Sequence, residues 1–405
     1  MNNKVSKWNK FLAATAVFLA AATAKKPSTK ANTLAFGATH WCHEEKYLIA
    51  ALKALSGERQ TRTKNTQQDV ATLQKWNLAA ALVPAEQKVP YELLLAYGFE
   101  TAKANAAAAS ALDAAVNAAL PFIEARIADY TKARGLLEVT QAATGNGVHN
   151  NGASSAGDCT VSTALTARAA HTCNLANEAD AKPEAVLAVI ENLEHVRIEA
   201  AANFTNLVEG PKIGLRGQVN NWQSTQANGC QCATNCGNTV TIQTLTAATA
   251  KTTAISASAV SVTNVGDTAP GAGDDPAQSK HRTAKKLTSL LASISEALKQ
   301  KQRPLHTTTY KDVIAFPSMV ECARNLLKPE QSGSKLDATQ TSEIQKFLQN
   351  TFGPTNTEFQ TKFKTNLDFM PISYKVADAE GAKTLSTALQ TANTAIALTY
   401  IERKE

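Results

Sequence analysis

The residues with the most chemistry to offer are seven cysteines, Cys42, Cys159, Cys173, Cys230, Cys232, Cys236 and Cys322, and seven scattered histidines. Cysteine can act as a nucleophile, hold a metal or pair as a disulfide, and spacing decides among these. His171 stands two residues before Cys173, but no sequence typical of a cysteine protease surrounds any cysteine. The C-x-C-x3-C run GCQCATNCG offers thiols to zinc, with His40 or His43 as further ligands. Zinc sites are usually built from two C-x2-C-like pairs, so no metal is expected. Gly271-x-Gly273 ahead of Asp274 and Asp275 lacks the preceding strand and the following Lys-Ser/Thr of a phosphate loop. There is also no G-x-S-x-G, no H-E-x-x-H and no dinucleotide glycine fingerprint. The expectation is no catalytic residue, no cofactor and no enzyme.

What remains for the cysteines is pairing, and the N-terminus sends the chain where pairing happens. MNNKVSKWNK carries Lys4, Lys7 and Lys10 ahead of the apolar run FLAATAVFLAAA, which ends on Ala22-Thr23-Ala24. A cationic start, a short apolar stretch and small residues describe a secretory signal peptide over 1–24, and the run is short for a membrane span. Disulfides therefore come first for all seven cysteines, with an odd count leaving one thiol free or bound to another chain. Asn203-Phe204-Thr205 is the one N-x-S/T sequon and makes Asn203 a candidate glycan site. Losing the leader lowers the net charge from +7 to +4, which argues for no nucleic-acid partner in an exported protein.

The elements that must position these residues are helical. Trp41–Val83 and Pro90–Ala143 read as two long helices joined by a short proline-marked turn, so 41–143 forms a helical hairpin. Apolar residues at Val116, Leu120, Ile123, Ile127, Tyr130 and Leu137 step by three and four with Arg134 in the one polar slot, the seam of a coiled coil. Pro121 should kink or interrupt this helix. The Gly/Asn/Ser-rich TGNGVHNNGASSAGDC reads as a loop, 184–208 as a helix, and 238–264, with Thr/Ser alternating with Val, Ile and Leu, as short strands. A helix over about 283–301 places Leu287, Leu290, Leu291, Ile294 and Leu298 on one face, with KHRTAKK as its solvated start. Shorter helices are expected at 312–327, 338–351 and 378–401.

Taken in order, these residues resemble a specific family. Trp41-Cys42 opens a helix running on through LIAALKAL, and an alanine-rich return helix follows, beginning ELLLAYGFETAKA. It closes on EARIADYTKARGLLEVTQAA, and a Gly-rich loop then leads to Cys159 and Cys173. This is similar to the N-terminal domain of the trypanosome variant surface glycoproteins, class A, whose return helix ends near GRIDEFLxVLxQA. Ala125 to Tyr130 and Leu137 to Ala142 occupy that pattern here. The resemblance spans the mature chain, most clearly over 41–175.

The resemblance implies a mainly α, elongated antiparallel hairpin forming a dimeric bundle, with small β and loop lobes at its ends. Residues 25–405 would be one such domain: the hairpin 41–143, lobes over 144–282 and helical return segments over 283–405. It also implies a Cys42–Cys173 bridge, with Cys159 paired to one of Cys230, Cys232 or Cys236. The implied function is a surface coat that shields the plasma membrane and evades host antibodies by antigenic variation. The implied partners are a second copy of the chain and host antibodies, with membrane attachment through a lipid anchor not encoded in this chain. Ile401 to Glu405 shows no site, spacer or apolar tail for such an anchor. A truncated relative is thus the alternative, acting as a host-ligand receptor or serum-resistance protein.

Overall fold

The computed structural model describes residues 41–137, 139–143, 148–149, 159–160, 163–167, 183–193, 195–198, 212–216, 241–246, 258–261, 283–331, 333, 335–372, 375–376, 379–380 and 384–390. Two helices dominate: α1 (Trp41–Leu82) and α2 (Lys88–Leu137), joined through Pro84 and a 3-10 turn at Ala85–Gln87. At 1.5 Å per residue, α1 is about 63 Å long and α2 about 75 Å. They pack antiparallel in one register: Glu44 meets Arg126, Arg59 meets Asp113, Arg62 meets the Ala108 carbonyl and Asp69 meets Asn105. Gly98 lets the helices approach closely, since a Cβ there would lie 2.6 Å from Leu73 Cδ2 and 2.9 Å from Trp76 Cζ3.

Among the described residues, α2 is the one helix long and apolar enough to cross a membrane. Alanine supplies much of that character, and α2 packs along α1 with the charged Arg126 facing inward, the arrangement of a hairpin core.

Short strands follow the hairpin. β1 (Val139–Ala143) pairs antiparallel with β4 (Thr163–Ala167), and β2 (Val148–His149) with β3 (Cys159–Thr160). After α3 (Pro183–Glu191) come β5 (His195–Ile198), β6 (Lys212–Arg216), β7 (Thr241–Thr246) and β8 (Ser258–Ser261), with β5 on β8 and β6 on β7. α4 (Ala284–Lys299) begins at the Thr283 cap, whose hydroxyl accepts from the Lys286 amide. Next are α5 (Tyr310–Ile314), α6 (Met319–Leu327) and α7 (Ala338–Phe352). α8 (Asn356–Gln360) runs through a π turn at Thr361–Thr365 into α9 (Asn366–Asp368), ahead of β9 (Lys375–Val376), β10 (Ala379–Glu380) and α10 (Leu385–Gln390).

Several boundaries depart from the sequence reading. The return helix stops at Leu137, because Val139–Ala143 finds a strand partner in Thr163–Ala167. The helix expected over 184–208 ends at Glu191, and Val196 and Ile198 are buried from a strand instead. Pro121 does not interrupt α2. It lies on the exposed side, where the carbonyl it leaves without a helix donor can be hydrated. The helix expected over 312–327 is split into α5 and α6 around Pro317, as the restriction before proline requires. Lys286 is buried rather than solvated, its Nζ 5.6 Å from the Phe122 ring centre.

The apolar core lies in two clusters. The first joins Tyr47 to Leu55 of α1 and Leu112 to Tyr130 of α2 with α3, β5 and α4. The second joins Trp76 to Ala79 and Tyr91 to Tyr97 with Leu305 and the helices after it, including the rings of Phe352, Phe359 and Phe363, which meet edge-on and tilted.

Candidate functional site

The described residues bring together no group of three or more His, Cys, Asp or Glu side chains able to hold a metal. Cys173, Cys230, Cys232, Cys236 and Asn203 lie outside the described residues, as do the side chains of Cys42, Cys159 and Leu137. Cys322, expected in a disulfide, is a free thiol on α6. It is half-buried against the second core, and burial, with the Glu100 carboxylate nearby, pushes the thiol up, so it stays protonated and a poor nucleophile. An odd cysteine count requires one such thiol if all pairing is within the chain.

Of the expected seam, Val116, Ile123 and Tyr130 are buried in the first core, Ile127 is partly buried against it and Leu120 is partly exposed. The buried heptad row is Leu112, Val116, Ala119, Ile123, Arg126, Tyr130 and Ala133. It shares one column with the expected row and replaces the other with two alanines and an arginine. Arg126 is 0 % exposed. Its Nε and Nη2 reach the two oxygens of Glu44 at 2.9 and 3.2 Å, and its guanidinium carbon lies 5.4 Å from the Tyr130 ring centre. Burial is the largest influence and opposes its charge, but Glu44 and Tyr130 together outweigh it and hold the guanidinium above its ordinary pKa. The same burial, with Glu44 beside it, raises the Tyr130 phenol. The arrangement fixes α1 against α2 and leaves no proton available for transfer.

One face of α1 carries two exposed columns of seven-residue spacing, Ile49, Ser56, Thr63, Val70 and Lys53, Gln60, Gln67. Ile49 and Val70 are 43 % and 51 % exposed, large for apolar side chains. Between α1 and Asp113 of α2 this face opens into a shallow cavity of about 350 Å³ lined by Ser56, Arg59, Gln60, Thr63, Lys64 and Gln67. Arg59 Nε is 2.7 Å from Asp113 Oδ1 and neutralises the cavity's one carboxylate.

No family model matches the sequence, and no curated protein matches it. Solved structures do. The first is that of "Variant Surface Glycoprotein VSGsur bound to suramin", with TM-score 0.62 and 21 % identity over 92 % of this chain and 100 % of that one. VSGsur alone gives 0.58 at 20 % identity, covering 92 % and 99 %. A structure of VSG13 gives 0.50 at 14 %, covering 94 % and 99 %. The chain has the fold of the trypanosome variant surface glycoproteins. At this identity the likeness establishes architecture. In variant-surface-glycoprotein terms, the mainly α, elongated hairpin with small strands at its ends is the expected scaffold. The buried Arg126 lies within the return-helix motif that carried the sequence resemblance. Nothing in the sequence marked the other polar residues that cross the hairpin, Arg62, Asp69 and Asn105, because at helical spacing they look like solvent-facing positions.

Proposed function

We propose that the chain is a surface coat protein of a trypanosome, displayed on the outer face of the plasma membrane after secretory export. The observation that carries this is the fold likeness to VSGsur across nearly the full length of both chains. Packed rods of this length hold large host proteins away from the lipid beneath. Sequence change in the exposed loops, without change in the rod, would evade host antibodies by antigenic variation. The coat unit is a homodimer, supported by the heptad-spaced exposed face of α1 with Ile49 and Val70 in its columns.

The test is antibody labelling of live, unpermeabilised cells that express the chain. Uniform surface label is expected. Label that appears only after permeabilisation would refute the coat role.

A further inference from the structure

The two apolar cores share no residue, and what lies between them is polar. On α1 the buried positions Leu55, Arg62, Asp69 and Trp76 fall seven apart, with the two charged residues in the middle. On α2, beyond Gly98, only Asn105 and Ala108 are buried between Tyr97 and Leu112. From Leu55 to Trp76 the hairpin thus runs about 30 Å with no large apolar contact at its centre.

That gap is crossed by the segment leaving α4, residues 300–304, which is held by hydrogen bonds before Leu305 enters the second core. Asn105 pairs with both backbone groups of Arg303: its Oδ1 accepts from the amide at 2.8 Å and its Nδ2 donates to the carbonyl at 2.9 Å. Asp69 accepts from Asn105 Nδ2 and from the Leu305 amide, both at 2.7 Å. Gln302 Nε2 donates to the backbone carbonyls of Arg62 and Asn105. Arg62 reaches the Ala108 carbonyl at 2.9 Å and the last carbonyls of α4, Ala297 and Leu298, at 3.2 and 3.3 Å, where a cation also suits the helix dipole.

We propose that this clasp is a mechanical joint between two cooperative units, which open together while it is closed and independently once it is broken. One unit is the first core with α3 and α4; the other is the second core with the helices after Leu305. Apolar coupling requires contact, and among the described residues the two clusters are separate, so beyond the continuous backbones of α1 and α2 the cooperativity across the gap passes through the clasp's hydrogen bonds. The inference rests on these contacts and is independent of the coat role.

The test is hydrogen exchange by mass spectrometry across a urea series on the intact, disulfide-bonded chain. It compares peptides from 47–55 and 287–298 with peptides from 76–97 and 344–367. In the wild type the two sets should lose protection at one midpoint, with the Arg303 and Leu305 amides protected to the same level. In Asp69→Asn, which places an amide against clasp donors, the two midpoints should separate by about 1 M urea. Gln302→Ala serves if Asp69→Asn does not fold, because it touches neither core. Midpoints that stay together in a folded variant would overturn the proposal. So would Arg303 and Leu305 amides that exchange at loop rates in the wild type.

Discussion

Arg126 cannot stand alone. A guanidinium taken fully out of water costs several kcal/mol, and only a partner with good geometry repays it. Glu44 supplies that geometry with two contacts from a helix 82 residues away in sequence. Glu44→Gln leaves the buried cation without its counter-charge and is expected to cost about 3–5 kcal/mol. Glu44→Leu combined with Arg126→Met removes both charges and should cost far less, because only the desolvated pair is lost. Urea unfolding followed by helical circular dichroism measures both, and a double variant as unstable as the single would refute the pair's role. This residue was half legible in the sequence. The motif containing it was readable, but a polar side chain at a heptad position reads as solvent-facing until its partner on the other helix is known. Asp69 and Asn105 were illegible for the same reason: their partners are each other and the backbone of residues 303 and 305.

At the scale of elements, the hairpin was the easy part. The structure ends α1 one residue before the expected Val83, since Pro84 stops it. Val139–Ala143 was missed because VTQAA carries no local signal against helix, and pairing with Thr163–Ala167 decides it. The helical run over 356–368 went unread although Phe359, Phe363 and Leu367 are spaced by four and all buried. Trp76 Nε1 donates to the Phe363 carbonyl within its π turn at 3.0 Å, a contact between distant elements that no local pattern announces. Pro121 was legible as a helix-breaker, but packing overrode propensity: Ala119, Phe122 and Ile123 beside it are buried in the first core. The helix therefore keeps its fold at the cost of one backbone hydrogen bond. Pro121→Ala restores the missing amide at an exposed position and should raise stability by about 1–3 kcal/mol. A higher urea midpoint with unchanged slope is the expected reading. A lower midpoint would mean that the proline is needed where it stands.

At the scale of the molecule, α1 uses its surface unevenly. One face packs on α2, another receives residues 300–305, and a third, bearing Ile49, Ser56, Thr63 and Val70 at successive heptads, meets nothing beyond its rim among the described residues. A helix face with coiled-coil spacing and two large apolar side chains in the open fits a second copy of itself across a two-fold axis, because each column then meets its own image. The mostly polar columns make such an interface specific in register and moderate in strength. The wild-type chain should therefore sediment at equilibrium with twice its own mass at micromolar concentration. Val70→Lys, exposed and outside both cores, should shift the population toward monomer by at least tenfold in dissociation constant without lowering the unfolding midpoint of the monomer. A lysine there faces either its own image or the neighbouring Lys64 and Lys53 faces of the partner, and the added positive charge is unfavourable in both cases. If the wild type is monomeric throughout, the two columns have no partner in a second copy and the coat unit is a single rod. If Val70→Lys dimerises as well as the wild type, the contact lies on another face, and the exposed Phe99 side of α2 is the next place to put the charge.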